Sequence, residues 1–524
     1  MRIKNAVEFR NSGGQRTEIE PEKSRVTGFC GGAWRTWYMA LPYYLAVLTL
    51  LSLTGCQSAV KTTGVGSIVP RPVQSKASEP RKSDKAAIDH YGLQVRIKPA
   101  EQWLSATATL RVQGLEPGRV ELFLNKSFQV SAVRVNGHDA EFSWGDPERR
   151  LPYTEPARLL VVHPVEGVRT PSQIELSYSG HISGVISDVN LISDDLIELA
   201  SYAAYYPMPA AVAGGCCFPF TLTVSLPEAY TVVSRGERTG INNKSGERSE
   251  TWTARIPGRD IPLFASNNIL RKSQKADGVE VSVFFRNMRP ADADLMLGEA
   301  VASLQYFTDQ FGLARASTLQ LIYSPREGWG YSRSGFIVLP EAYAMKKIAV
   351  KPSREDGKSD VEPPDSPFHG LAHEIAHFWW SLAETTTSHD WLNEALAEYS
   401  AARDSGRREG DAGLRAWVNT YARSLRRKPP PVGILETRSS DRYRYTNWYE
   451  RGALFFLCLE ERIGQQAMNR LLRGLIESSS ARPLTTEFLI GKLDDFDGLE
   501  TEWIQGWLES AELAPVQACL RRFQ

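Results

Sequence analysis

Histidine, cysteine and net charge are all scarce in this chain. Only eight of its 524 residues are His, so a tight His cluster is improbable by accident and carries weight where it occurs. The six Cys show no metal-ligand spacing: Cys30 and Cys56 lie near the N-terminus, Cys216 and Cys217 are adjacent and would bridge each other only with strain, and Cys458 and Cys519 stand alone. Zinc held by thiolates is therefore not expected, although export would permit a disulfide. Basic and acidic residues balance at 61 each, giving a formal charge of zero. That leaves no electrostatic footprint for nucleic acid. The apolar run Leu45 to Leu53 is too short to span a bilayer as a stable anchor. No internal repeat is evident.

What the chain does have is His373-Glu374-Ile375-Ala376-His377, followed by Glu394 in Trp391-Leu392-Asn393-Glu394. Two His four residues apart on a helix project from one face and can share a single metal. Glu374 can lie beside the metal's open position and act as a base on bound water, while Glu394 from a second helix supplies the third ligand. Three protein ligands leave one coordination position for chemistry. Ser366-Pro367, after the breaker-rich Glu362-Pro363-Pro364-Asp365, predicts a helix from about Pro367 to Leu382. A second helix is predicted from Trp391 to about Arg403. Glu398 follows Glu394 by one turn, so it can accept a hydrogen bond from a metal-bound imidazole and fix its tautomer. His369 is expected at the surface, because a helix does not easily turn three stacked His onto one tetrahedral ion. His389 is expected to be a plain loop residue.

H-E-I-A-H-F-W-W, then W-L-N-E-A-L-A-E-Y, then Tyr449-Glu450-Arg451-Gly452 resembles the gluzincin metallopeptidases of the aminopeptidase N and leukotriene hydrolase type. The resemblance implies one zinc per chain on His373, His377 and Glu394, a peptide substrate, Glu374 as catalytic base and Tyr449 as donor to the tetrahedral oxyanion. A phenol suits that role because it donates without changing its own ionisation at neutral pH. Tyr443 and Tyr445 lie close by, and the Y-E-R-G context favours Tyr449. The stretch Phe378 to Asn393 is shorter than the family's usual spacing, which keeps Glu398 as the fallback ligand. One departure concerns specificity. Aminopeptidases of this family carry a G-A-M-E-N stretch whose Glu grips the substrate's free amine; here Trp329-Gly330-Tyr331-Ser332-Arg333 corresponds, with Ser332 in place of that Glu. Arg333 beside it would repel an ammonium, and Glu327 is the available substitute. The strand Gly335 to Leu339 that follows is expected to be an edge on which an extended peptide pairs. Ser332, Arg333, Gly335 and Glu327 are thus the expected substrate-binding residues, in a cleft that takes blocked peptides about as readily as free N-termini.

The N-terminal region supplies an address. Leu53-Thr54-Gly55-Cys56 looks like a bacterial lipobox, with Cys56 as the lipidated residue. By resemblance to bacterial lipoproteins, Gln57 favours an outer-membrane anchor facing the periplasm, so a membrane is an expected partner through the lipid; protein partners are not indicated. Residues 1–56 are then read as export signal, with 1–38 unusually long for an n-region, and 57–89 as a flexible linker rich in Lys, Ser, Pro and Gly. Alternating patterns such as Leu93-Gln-Val-Arg-Ile and Phe220-Thr-Leu-Thr-Val-Ser-Leu-Pro predict an antiparallel β saddle or sandwich over 90–275. From 276 to 524 a thermolysin-like, mainly α catalytic domain is expected, giving an α+β multidomain fold. The family's large C-terminal helical domain has no counterpart, which implies a more open cleft. Two alternatives to a peptide hydrolase remain: a hydrolase of a non-peptide substrate on the same zinc site, and a catalytically silent cell-envelope binding lipoprotein.

Overall fold

The computed structural model describes residues 87–524 except 116–117, 146–156, 164, 168–169, 187–188, 211–216, 315, 343, 345–366, 386, 480–481, 497–498, 522 and 524. The lipobox at Cys56 and the helix cap at Ser366 lie outside the described residues. Strand Ala87–Lys98 opens the described chain inside the stretch expected as linker.

The N-terminal part is β, as its alternation implies. Along Ala87–Lys98, Leu93, Val95 and Ile97 are buried while Gln94, Arg96 and Lys98 are exposed, the period of two that puts successive side chains on opposite faces. This strand pairs antiparallel with Trp103–Gln113 and, unexpectedly, parallel with Phe218–Pro227. It is the one parallel pair in an eight-stranded sheet otherwise antiparallel. Two four-stranded sheets, centred on Leu263–Ser266 with Leu196–Leu199 and on Val120–Asn125 with Ala157–Val162, fold over it. Tyr91, Leu104, Leu110, Phe220 and Leu222 at their junction are fully buried. Each such side chain contributes about 1.5–3 kcal/mol on removal from water.

A five-stranded sheet begins the C-terminal part, in the order Leu270–Ala276, Val279–Phe285, Thr318–Ser324, Phe336–Pro340, Tyr331–Arg333. The expected boundary at 275 falls within its first strand, which pairs along its length with the second. The central strands are buried on both faces. Val281, Val283, Leu319, Leu321, Ile337 and Leu339 pack toward the helices, whereas Phe284, Ile322, Phe336 and Val338 pack toward Val233 and Phe264 of the β part. Double burial is why these strands read as nearly continuous apolar runs. The order corrects one expectation. Phe336–Pro340 is an interior strand, and the free edge is Tyr331–Arg333, with Ser332 opposite Ile337.

Helix α1 (Pro290–Phe311) packs on this sheet, and α2 (Pro367–Ala376) and α3 (Trp391–Arg427) follow. Helix α2 is shorter than predicted. After Ala376 the chain tightens into a turn, with Phe378 N–H on Ile375 O at 2.9 Å and Trp379 N–H on Ala376 O at 2.9 Å. The two tryptophans there are anchored separately, Trp379 Nε1 on Gly312 O at 3.0 Å and Trp380 Nε1 on Ser400 Oγ at 2.9 Å, which a continuing helix would not allow. Helix α3 is longer than predicted and bends at Gly410, whose φ of 68° lies in the left-handed region. A π-helical segment, Tyr445–Arg451, leads into α4 (Gly452–Ile463), then α5 (Gln465–Ser478). A disulfide joins Cys458 of α4 to Cys519 of the terminal helix Ala514–Leu520. Among the described residues no helix is long and apolar enough to cross a membrane.

Candidate metal centre

Helix α2 presents His373, and the turn after it presents His377; α3 delivers Glu394 from its first turn. One ligand atom from each of these three lies within 4.8 Å of the others, the one such group of His, Cys, Asp or Glu among the described residues. Glu394 Oε2 stands 3.5 Å from His373 Nε2 and 3.6 Å from His377 Nε2. Ligand bonds of about 2.0–2.1 Å in tetrahedral zinc place neighbouring donors roughly 3.3–3.4 Å apart, so the Glu394 oxygen stands near that spacing from both imidazoles. Their other ring nitrogens are already committed. His377 Nδ1 meets Trp380 O at 3.0 Å, and His373 Nδ1 meets Glu398 Oε2 at 2.7 Å. Both Nε2 atoms are thereby left to face Glu394, where a metal ion could bind them.

The shorter loop is absorbed by the early end of α2. Asn393 Oδ1 accepts from Leu382 N and Ala383 N at 2.9 Å each, while its amide donates to Ala383 O at 3.0 Å and Asp390 at 2.8 Å. These bonds clamp the connection to the head of α3 and set Glu394, rather than Glu398, facing the two imidazoles. Gly452, at the start of α4, lets that helix approach closely, since a Cβ there would stand 2.5 Å from Ala395 Cβ.

His369 is corrected: it is buried, with 6 % of its surface exposed. Its Nε2 meets Glu398 Oε1 at 3.0 Å, and its ring stacks on Trp417 at 3.5 Å between centroids. Tyr421 donates to the same Oε1 at 2.8 Å. Glu398 therefore has one oxygen on the metal-facing imidazole and the other on a buried His and Tyr. Burial opposes its charge, but His369 and His373 hold it well below the usual carboxylate range. The four-residue step from His369 to His373 was a legible signal of a shared face; that a carboxylate, not a metal, would use it was not. His389, expected in the loop rather than among the ligands, lies in the short 3-10 turn Ser388–Asp390, where its Nδ1 meets Thr486 Oγ1 at 3.2 Å.

Electrostatics in the cluster follow from burial and close charges. Burial pushes the Glu374 carboxyl up to about 7, with His373 pulling the other way. His377 is lowered to about 4 by burial. Burial works against the charge of Glu394, yet the two imidazoles hold it at about 2. For His373 burial is outweighed by hydrogen bonds to Glu394 and Glu398, which raise it well above its ordinary value. Excess carboxylate around two imidazoles is what a divalent cation would complement. Tyr449, in the π-helical segment, lies parallel to His373 at 5.5 Å between ring centroids and stacks on Tyr445 at 4.7 Å. Burial, then the negative charge of Glu394, raises its phenol well above the usual value.

The expected substrate residues are distributed unevenly. Ser332 Oγ donates to Glu374 O at 3.1 Å, tying the edge strand to the metal helix. Arg333 is turned away from a bare cleft by an ion pair, Nε to Asp260 Oδ2 at 2.8 Å, and its guanidinium covers the Tyr202 ring at 4.8 Å. Its charge is thus largely met, contrary to the expectation of a free repelling cation. Gly335 is a hairpin residue with φ of 88°, where a Cβ would stand 2.7 Å from Thr318 O, so its role is the turn. Glu327 is exposed, and its neighbour Arg326 turns inward to the buried Glu198 at 2.7 Å. Sequence reasoning did not find Asp260 or Arg259, which arrive from the β part next to the metal loop.

No family model and no curated protein matches this sequence. The fold does match solved structures. An M1 zinc metallopeptidase from Deinococcus radiodurans superposes with a TM-score of 0.66 at 20 % identity, covering 83 % of this chain and 96 % of that one. A point mutant of an M1 zinc metallopeptidase from the same organism, bound to a Tyr-Ser-Ala substrate, gives 0.64 at 21 % identity over 82 % and 96 %. A two-domain M1 zinc metallopeptidase mutant bound to L-tryptophan gives 0.63 at 20 % over 84 % and 94 %. The chain thus has the α+β fold of the M1 zinc metallopeptidases, the aminopeptidase N group.

Proposed function

We propose that this chain is a zinc-dependent peptide hydrolase. The observation that carries the reading is the convergence of His373 Nε2, His377 Nε2 and a Glu394 oxygen within 4.8 Å, with Glu374 next in sequence to a ligand and Tyr449 across the His373 ring. Zinc bound there would supply a Lewis acid and lower the pKa of a water to about 7. Glu374, a buried carboxylate next in sequence to His373, is the residue placed to hold the proton of such a water and to pass it to the leaving amine, the general-base role. Tyr449 donates its phenolic proton toward the oxygen that becomes negative. Glu398 keeps His373 in the tautomer that offers Nε2, and His369 with Tyr421 holds Glu398 in turn.

Carboxylate anchoring of a substrate amine has no candidate on the edge strand: Ser332 is committed to Glu374 O. The enzyme is accordingly proposed to be a poor general aminopeptidase. Lipidation at Cys56 would place it in a bacterial cell envelope. The reading is tested by hydrolysis of a mixed peptide library, which should depend on added zinc, be blocked by a chelator, and vanish in Glu374→Gln with metal content unchanged. Turnover that survives Glu374→Gln would overturn it.

A further inference from the structure

The neighbourhood of the metal cluster is rich in arginine. Arg259 directly follows the β part's strand Glu247–Gly258, Arg333 closes the edge strand, and Arg444 precedes the π-helical segment, its guanidinium 5.9 Å from the Tyr449 ring centroid. Arg259 differs from Arg333 in how it is met. Its Nη2 donates to Ser381 O at 3.1 Å and to Ala383 O, the backbone just past His377. Its Nε and Nη1 are buried and have no hydrogen-bond partner among the described residues.

The carboxylates nearby, Asp260, Asp390, Glu384 and Glu394, do not hydrogen-bond those nitrogens, and Glu384 acts on the guanidinium through its charge alone. Asp260, the next residue, is saturated by Arg333, Tyr206 Oη at 2.9 Å, and the Ser201 amide and hydroxyl at 3.0 Å. Asp390 accepts from Asn393 at 2.8 Å, and burial pushes its carboxyl up to about 7. Glu394 faces the imidazoles. A guanidinium removed from water with the N–H of Nε and both N–H of Nη1 unmet is costly, and a planar carboxylate matches that pair of nitrogens side by side.

We propose that Arg259 is the receptor for a carboxylate on the substrate, so that this site takes acidic peptides, those with a Glu or Asp side chain or a free carboxylate beside the scissile bond. The inference rests on the peptide-hydrolase reading. It inverts the usual requirement at such a cleft: a fixed cation meets a substrate anion where a fixed carboxylate would meet a substrate ammonium.

The test uses the zinc-loaded protein and N-acetylated peptides identical except for Glu against Gln, placed on either side of the cleaved bond. Wild type should favour the Glu peptide in kcat/KM by about ten- to hundredfold at one of the two positions, mainly through KM. Arg259→Met should abolish that ratio, and Arg259→Lys should restore part of it. A merely structural Arg259 would lower both members of a pair equally and leave the ratio unchanged. In parallel, the Glu and Gln peptides are titrated calorimetrically into zinc-loaded Glu374→Gln, with and without Arg259→Met. Hydrolysis with no Glu preference at either position overturns this inference alone. Failure to cleave any peptide overturns the hydrolase reading, and equal binding of Glu and Gln peptides in the titration then overturns the carboxylate receptor as well.

Discussion

The two walls that meet at the metal cluster are built on opposite principles. On the helical wall, α2 and α3 pair the polar atoms around His373 and His377 with named partners, from Glu398 to Asn393. On the β wall, Arg259 keeps buried donors without hydrogen-bond partners among the described residues. A set of ligands for a permanent ion gains from complete pairing, because each bond fixes a tautomer or a rotamer. A surface that receives a transient ligand cannot be fully paired beforehand, since the ligand's own atoms must find donors. If the proposed roles hold, the contrast separates the residues that would hold the metal from the one that would select the substrate.

Breaking the helical wall should have the largest effect. His373→Ala and Glu394→Ala are expected to lose the metal and all hydrolysis, read as zinc per chain by elemental analysis alongside peptide turnover. Full occupancy in both variants would remove them from the ligand set and return Glu398 to contention. Tyr449→Phe is expected to stay folded and metal-bound while kcat falls about 10²–10³-fold, the usual cost of one oxyanion donor. An unchanged kcat would transfer the role elsewhere, with Tyr445 the neighbouring phenol.

Loosening the layer behind the ligands should cost less. His369→Ala leaves Glu398 with Tyr421 and His373 only, and zinc affinity should drop by about 10–100-fold, as for other groups that orient a ligand. Competition with a chromophoric chelator measures this directly. Wild-type affinity in His369→Ala would reduce that residue to packing against Trp417.

The smallest effect concerns Glu450, behind Tyr449. Burial raises its carboxyl from 4.5 to about 7, so the folded state holds this proton more tightly than the unfolded one. Its contribution to stability is present below pH 4.5 and is lost as pH rises through about 7. Glu450→Gln should therefore flatten the decline in Tm above pH 5 and melt slightly higher at pH 8. A decline as steep as in wild type would place the titration elsewhere.

Local patterns in the sequence carried much of this architecture. The alternation in Leu93 to Ile97 and Phe220 to Leu226 announced strands with one buried face, because side chains alternate across a strand whatever the partner. His373 and His377 announced two imidazoles turned toward one point because four residues make about one helical turn, and Pro367 marked the start of that helix. Other features depended on distant partners. Nothing local shows that Ala87–Lys98 would run parallel to Phe218–Pro227, or that Tyr331–Arg333 and not Phe336–Pro340 would be the free edge. Helix α2 stops at Ala376 because Trp379 and Trp380 find hydrogen-bond partners in Gly312 and Ser400, contacts invisible to periodicity. His369 looked like a surplus ligand until Glu398 and Trp417 enclosed it.

By itself, the sequence determined most element types and which His and Glu side chains would share a face, since both rest on spacing along one chain. Tertiary structure alone decided which charges are met. Asp260 reaches Arg333 across 73 positions, while Arg259 beside it turns toward the loop after His377 and keeps buried donors with no hydrogen-bond partner among the described residues. Pairing of buried charge is a property of which segments come together, and adjacency in the chain does not encode it.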